Sequence, residues 1–178
     1  MKKLLLHTCC GPCFITSLLY LKDRYEIVPF WFNPNIHPYQ EFEKRLSAFK
    51  KATIGFDTII DDTYNLMEYF TAVEWGKRRC YGCYQLRLAK TALVAVEHKI
   101  DLFSTTMLIS PYQDISIISE IGEGEAKRTN IGFLATDMRD YYREGHNRAR
   151  EMGLYMQKYC GCIFSEEERF RKKKDGRR

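Results

Sequence analysis

The sequence predicts an α/β domain, a single mainly parallel sheet with helices on both faces. Short apolar, β-branched and aromatic runs at residues 3–8, 25–32, 56–60 and 102–105 alternate with longer stretches of helical periodicity. A chain of 178 residues holds one real core and is too short for two ordinary domains. Strands that alternate with crossover helices run parallel, and sites on such sheets lie at the carboxyl ends of the strands.

Residues 3–8 lead into cysteines, and 14–24 follow as a helix with Ile15, Leu18, Leu19 and Tyr20 available to its buried face. Residues 25–32 (YEIVPFWF) make the second strand, which Asn33-Pro34-Asn35-Ile36-His37-Pro38 breaks sharply. Residues 41–52 read as a helix, 56–60 as a third strand and 64–73 as a helix. The stretch 80–99 places Leu86, Leu88, Ala89, Leu93 and Val96 near helical spacing, ahead of a buried strand at 102–105. Ser110-Pro111 opens the next segment and 113–122 is helical, because proline disfavours helix at the residue before it. Residues 132–134 and 141–154 carry no decisive pattern. With no repeat or low-complexity linker, the domain is set at 1–165 and a basic tail at 166–178.

Hydrophobic residues make up 45% and charged residues 29%, a globular composition. No apolar run approaches the roughly 20 residues of a membrane helix. Met1-Lys2-Lys3 and the three leucines after it do not make a secretory signal, so a cytoplasmic address away from membranes is expected. The net charge of +5 fits a polyanionic partner. Much of it sits in Arg169, Arg171, Lys172, Lys173, Lys174, Arg177 and Arg178, so charge alone says little about RNA.

Seven cysteines without an export signal point to metal or redox chemistry rather than to a disulfide framework. All seven fall into three groups: Cys9-Cys10-Gly11-Pro12-Cys13, Cys80-Tyr81-Gly82-Cys83 and Cys160-Gly161-Cys162. A CxxC pair sets two thiolates one turn apart for one metal centre, and Gly82 lets the backbone bend around it. Thiols that only pack or pair are the bland alternative. Neighbouring Cα atoms lie about 3.8 Å apart, and adjacent strand side chains point to opposite faces. One zinc ion is therefore an awkward target for Cys9 and Cys10 together, whereas a [4Fe-4S] cluster offers each thiolate its own iron. Cys9, Cys10, Cys80 and Cys83 are the favoured ligands, with a zinc-stabilised RNA-binding module as the non-enzymatic alternative.

Cys10-Gly11-Pro12-Cys13 also matches the CGPC of thioredoxins, in which a helix N-terminus lowers a thiol pKa. Against a thiol-disulfide oxidoreductase built on Cys10 and Cys13 stand Cys9, where the usual tryptophan would be, and the other cysteine groups. Cys160 and Cys162, at most about 7 Å apart, are close to disulfide range if the chain bends at Gly161, and so small a ring would be readily reduced. The competing role joins Cys13, Cys160 and Cys162 as ligands of a second metal beside the cluster. Both stay open.

Five ordered motifs resemble the cobalamin-independent epoxyqueuosine reductase family: HTCCGPC from His7, FNPNIHP from Phe32, RCYGCY from Arg79, Ser104-Thr105-Thr106 with Ser110-Pro111-Tyr112, and YMQKYCGC from Tyr155. The resemblance runs from residue 7 to about residue 165. It implies reduction of epoxyqueuosine to queuosine at the wobble position of transfer RNA, the last step of queuosine biosynthesis. The partners it implies are transfer RNA carrying epoxyqueuosine in its anticodon loop and a low-potential electron donor. The family is similar to nucleotide-hydrolase-like (HUP, PP-loop-like) Rossmann-type folds. Thr8-Cys9-Cys10-Gly11-Pro12 stands where those folds carry a Ser-Gly-Gly phosphate loop, and Pro12 removes a backbone N–H, which argues against ATP.

Removing the epoxide oxygen takes two electrons and two protons, and one cluster usually passes one electron at a time. A reducible Cys160–Cys162 pair or a second iron near the cluster supplies what is lacking, as an electron store or a Lewis acid. His7 and Tyr112 are candidate proton donors, although a strand histidine is commonly a hydrogen-bonded core residue and Tyr112 serves equally as a loop anchor at the substrate. Lys77, Arg78 and Arg79 either meet anticodon-loop phosphates or form a solvated charge run. Asn33, Asn35, His37 and Arg45 border the loop after the second strand and are candidates for substrate contact, with turn formation as the other reading. Tyr39, Tyr81, Tyr84 and Tyr159 either stack on unpaired bases or pack in the core.

Overall fold

The computed structural model describes residues 1–73 and 79–174, with side chains as far as residue 171. The strands are β1 (Lys2–His7), β2 (Tyr25–Phe32), β3 (Ile59–Asp61), β4 (Leu102–Thr105) and β5 (Gly132–Phe133). The helices are α1 (Gly11–Leu21), α2 (Tyr39–Ala52), α3 (Leu66–Ala72), α4 (Arg79–Glu97), α5 (Ile115–Thr129), α6 (Tyr142–Glu151) and α7 (Ile163–Lys174). Single 3-10 turns add Thr106–Ile109 and Arg139–Tyr141. Among the described residues, no helix is long and apolar enough to cross a membrane.

The strands form one five-stranded sheet in the order β3-β2-β1-β4-β5, with every pairing parallel. β1 is central, with Leu5 opposite Val28 on one side and Phe103 on the other. Helices cover both faces of it, so Leu4, Leu5 and Leu6 are all fully buried. That is why the strand reads as an unbroken apolar run instead of an alternation. Pro29 is tolerated inside β2 for a geometric reason. Phe30 O accepts from Thr8 N, so Phe30 turns its polar groups toward β1, and Pro29 faces β3 one residue before β3 begins to pair.

Right-handed crossovers put α1 and α2 on one face and α4 and α5 on the other. The helix contacts agree: α1 packs on α2 and α6, and α4 packs on α3 and α5. The chain leaves β1 toward β2 but leaves β4 toward β5, so a crevice opens beyond the carboxyl ends of β1 and β4. Thr8, Cys9 and Cys10 follow β1 into it, and Thr106 follows β4.

Several element limits differ from those expected. The third strand starts at Ile59 rather than 56, because Phe56 packs edge-on against Phe14, with centroids 5.1 Å apart. α5 starts at Ile115, where the Asp114 carboxylate accepts from the Ile117 N–H, and it runs on to a left-handed Asn130 cap. The 141–154 stretch resolves as α6, docked on α1. The boundary expected at residue 165 falls inside α7, and the last four residues of the expected tail lie outside the described ones.

Candidate metal centre

The sulfurs of Cys9, Cys10 and Cys13 lie within 4.8 Å of one another at the mouth of the crevice. Cys10 caps α1: its Sγ accepts from the Cys13 N–H at 3.4 Å, while the Cys10 and Cys13 sulfurs approach to 2.8 Å. Cys9 is tied across the switch point to Thr106, whose Oγ1 accepts from the Cys9 N–H at 3.2 Å and donates to Cys9 Sγ at 3.4 Å. Hydrogen bonds from Cys10 and then from Cys13 hold the Cys9 thiol well below its usual pKa. Burial raises Cys10, and the bonds with Cys10 and Cys9 raise Cys13.

Cys83 and Cys162 meet in a small apolar cluster with Tyr69 and Val73, and burial pushes Cys83 up to about 12. Gly82 lies inside α4, where an added Cβ would sit 2.3 Å from Ala72 O and 3.0 Å from Val73 Cα. Its role is close packing of α4 on the end of α3, which corrects the expected bend around a metal.

Gly161, with φ +149, turns the chain between Cys160 and Cys162. The two sulfurs leave that turn toward different partners. Cys160 Sγ, at an exposed residue, accepts from Gln113 Nε2 at 3.3 Å, and Gln113 Oε1 accepts from the buried Tyr84 hydroxyl at 2.7 Å. Cys162 Sγ accepts from the Ser165 N–H at 3.4 Å in the first turn of α7. None of the seven cysteines is joined in a disulfide.

The loop that carries Cys160 and Cys162 is fastened by residues expected to touch substrate. Arg45, 1% exposed, donates from Nε to Glu41 Oε1 at 2.7 Å, from one terminal nitrogen to Cys160 O at 2.8 Å, and from the other to Tyr159 O at 2.9 Å. The Tyr155 hydroxyl completes Glu41 by donating to its second oxygen at 2.6 Å. His37 donates from Nε2 to Pro34 O and accepts at Nδ1 from the Ile163 N–H, while its own N–H reaches Gly161 O at 2.8 Å. Asn33 Nδ2 donates to Thr8 O at 2.9 Å, and the Asn35 amide lies against Gly161. Each of these four side chains is at most 3% exposed, so they bind the protein's own loops together.

The remaining candidates separate in the same way. Arg79 is paired with Glu168 and lies over Phe164, with its guanidinium carbon 5.2 Å from the ring centroid. Lys77 and Arg78 lie outside the described residues. Tyr112 is 82% exposed, its ring in edge contact with Tyr142 at the thiol side of α6, and Tyr39 and Tyr81 are also exposed. Tyr159 donates to His37 O.

His7 is a core residue of the site. Its Nε2–H donates to Phe32 O at 3.1 Å, and its Nδ1 accepts from the Thr105 hydroxyl at 2.9 Å, which in turn accepts from the Met107 N–H. Burial first, and then the charge of Arg87, lower its pKa to about 4. The unfolded chain, with an ordinary value near 6.5, binds a proton that the folded protein refuses. The stabilisation is thus complete above about pH 6.5 and lost as pH falls toward 4. Melts of the metal-free protein should record a fall of up to ~3 kcal/mol across that interval, and His7→Gln should flatten it.

One residue at the centre of the site carries no sequence motif. Arg87 is 2% exposed, one helical turn beyond Cys83, and its Nε donates to Cys83 O at 3.2 Å. Burial raises Cys83 and Cys160, and the positive charge of Arg87 opposes that in both. The same charge interacts with Cys9, and Arg45 acts on Cys9, Cys10 and Cys160. Two buried guanidiniums therefore act on thiols of the Cys9-Cys10-Cys13 group and on Cys160 alike, one fixed to Cys83 O and the other to Cys160 O.

Residues 4–168 match the family described as Epoxyqueuosine reductase QueH. A protein of that name from Dehalococcoides mccartyi is 38% identical, over 96% of this chain and 96% of its own. Its namesake from Thermotoga maritima is 34% identical over 95% and 93%, and that from Staphylococcus epidermidis 30% over 92% and 76%.

Proposed function

Because this chain belongs to the epoxyqueuosine reductase QueH family, we propose that it reduces epoxyqueuosine to queuosine at the wobble position of transfer RNA, using a [4Fe-4S] cluster as electron carrier. The observation that carries this reading is the convergence of three sulfurs, those of Cys9, Cys10 and Cys13, at the carboxyl end of the central strand, with Cys83 and Cys160 under the charge of Arg87. The donor group contains only thiols, a set that suits iron–sulfur centres or zinc and disfavours hard cations.

In this reading Cys9, Cys10, Cys80 and Cys83 hold the cluster, and Cys13, Cys160 and Cys162 serve a second iron or act as a redox pair. When bound, such groups supply single electrons at low potential and a Lewis acid for the epoxide oxygen. Conversion of the epoxide to an alkene consumes two electrons and two protons and releases the oxygen as water. The protein's own groups position and protonate. His7, neutral with both ring nitrogens bonded, holds the ends of β1, β2 and β4 together and is not the acid. Tyr112 reaches solvent and is the candidate donor at the rim. Arg45 and His37 fix the loop that presents Cys160 to the crevice. Asn33 and Asn35 support the same loops, and Lys77, Arg78 and Arg79 are assigned to anticodon-loop phosphates. The reaction is assigned to the α/β domain together with the start of α7, which Cys162, Phe164 and the Arg79–Glu168 pair dock onto it.

The test is single-turnover and multiple-turnover conversion of transfer RNA carrying epoxyqueuosine, with cluster-loaded protein and a low-potential donor such as dithionite, read by nucleoside mass spectrometry. Formation of queuosine is expected, and a cluster-replete protein that leaves the epoxide intact overturns the assignment. The 2.8 Å approach of Cys10 and Cys13 favours thiol-disulfide exchange as a second reading, for which insulin reduction in place of epoxide reduction is the sign.

A further inference from the structure

A buried charge without an opposite partner is costly, and a protein keeps one where something else supplies the opposite charge. Arg45 has such a partner in Glu41. Arg87 has none: among the described residues no carboxylate forms an ion pair with it, although it is 2% exposed. What surrounds it is sulfur and aromatic surface. Its Nε is held by Cys83 O at 3.2 Å, its guanidinium carbon lies 6.0 Å from the Tyr84 ring centroid, and the charges it interacts with are those of Cys83, Cys160, Cys9 and Tyr84.

We infer that Arg87 is the fixed countercharge of the metal centre, a positioning residue whose guanidinium balances the negative charge that metal-bound thiolates bring into the crevice. The inference rests on the iron–sulfur reading above. Its physical content is that Arg87 strains the metal-free protein and stabilises the loaded one. A cluster becomes more negative when reduced, so a fixed positive charge also favours its reduced state. Lysine at this position keeps the charge but loses the Nε–H that holds Cys83 O. Methionine keeps the length and removes the charge.

The experiment compares full-length wild type, Arg87→Met and Arg87→Lys, each metal-free and after anaerobic loading with iron and sulfide. Metal-free Arg87→Met should melt at or above metal-free wild type, whereas loaded Arg87→Met should melt below loaded wild type. Redox titration followed by visible and electron paramagnetic resonance spectra should show the reduced-to-oxidised ratio of Arg87→Met falling about tenfold at a fixed solution potential, which is about 59 mV for a one-electron couple. Arg87→Lys should recover most of that ratio. A metal-free Arg87→Met protein that fails to fold, or loses as much stability as the loaded one, makes Arg87 an ordinary structural residue and overturns the proposal. So does an unchanged potential at full iron content. If wild type binds only zinc, the iron–sulfur reading fails, while the opposite signs of the metal-free and zinc-loaded melting shifts still decide the role of Arg87.

Discussion

Cys83→Ala, purified without oxygen, is expected to lose both its colour and its turnover. The cysteine sits on the first turns of α4 beneath Tyr69 and beside Cys162, with its carbonyl fixed by Arg87. Nothing else on that helix face can replace its sulfur, because Cys80, three residues earlier, is the other half of the same proposed pair. Loss of an outer-shell partner costs a metal site roughly 10–100-fold in affinity or activity, and loss of a ligand should exceed that. The fold should survive, since the change removes one buried sulfur, and far-ultraviolet circular dichroism can verify it. Cys160→Ala provides the contrast. It should keep much of the visible absorbance and lose turnover, because its sulfur, bonded to Gln113, belongs to the last loop and not to the four proposed cluster ligands. Turnover retained by Cys160→Ala would contradict a redox or metal-binding role for that residue.

Arg45→Ala is expected to cost about 3–5 kcal/mol of stability, the range for breaking a buried pair from one side. The Arg45–Glu41 ion pair, 2.7 Å long with side chains 1% and 7% exposed, would leave Glu41 with only the Tyr155 hydroxyl. Two further bonds, to Cys160 O and Tyr159 O, disappear with the guanidinium. Urea denaturation of Arg45→Ala, Glu41→Gln and the double variant measures the effect. The double variant should be less destabilised than the sum of the two, because it no longer buries an unpaired carboxylate. Arg45→Lys should recover the charge without the fork and remain well short of wild type. In Arg45→Ala the thiol of Cys162 should also react faster with an aromatic disulfide reagent, since the loop that carries it is released from its seat beside Tyr69 and Cys83.

The parallel sheet was legible because strands buried on both faces read as continuous apolar runs, as in Leu4-Leu5-Leu6 and Val28 to Phe32, and because α2 and α4 carry strong helical spacing. The edges were not. β3 has three residues and β5 two, too few for any periodicity, and each pairs along only one side. α7 escaped because its charged composition resembles a solvated tail. It is docked by particular contacts instead, through Cys162 and Phe164 at its start and the Arg79–Glu168 pair. At the site, the sequence grouped Cys9, Cys10 and Cys13 but assigned Cys13 a role apart from the other two, whereas the cap of α1 brings all three sulfurs together. The polar side chains of the FNPNIHP motif, read as candidates for substrate contact, turn inward to hold backbone. Arg87 reads as one more charge in QLRLAK. Counting four residues on from Cys83 places both on one helix face, the signal that would have found it.

The central claim is that thiols from three distant stretches of chain hold an iron–sulfur electron carrier at the switch point of the sheet. Iron, acid-labile sulfide and zinc analysis of the anaerobically purified full-length protein tests it most directly. The account predicts iron and sulfide in about a 1:1 ratio, with a visible absorbance that dithionite bleaches. A colourless protein holding stoichiometric zinc and no sulfide would contradict it.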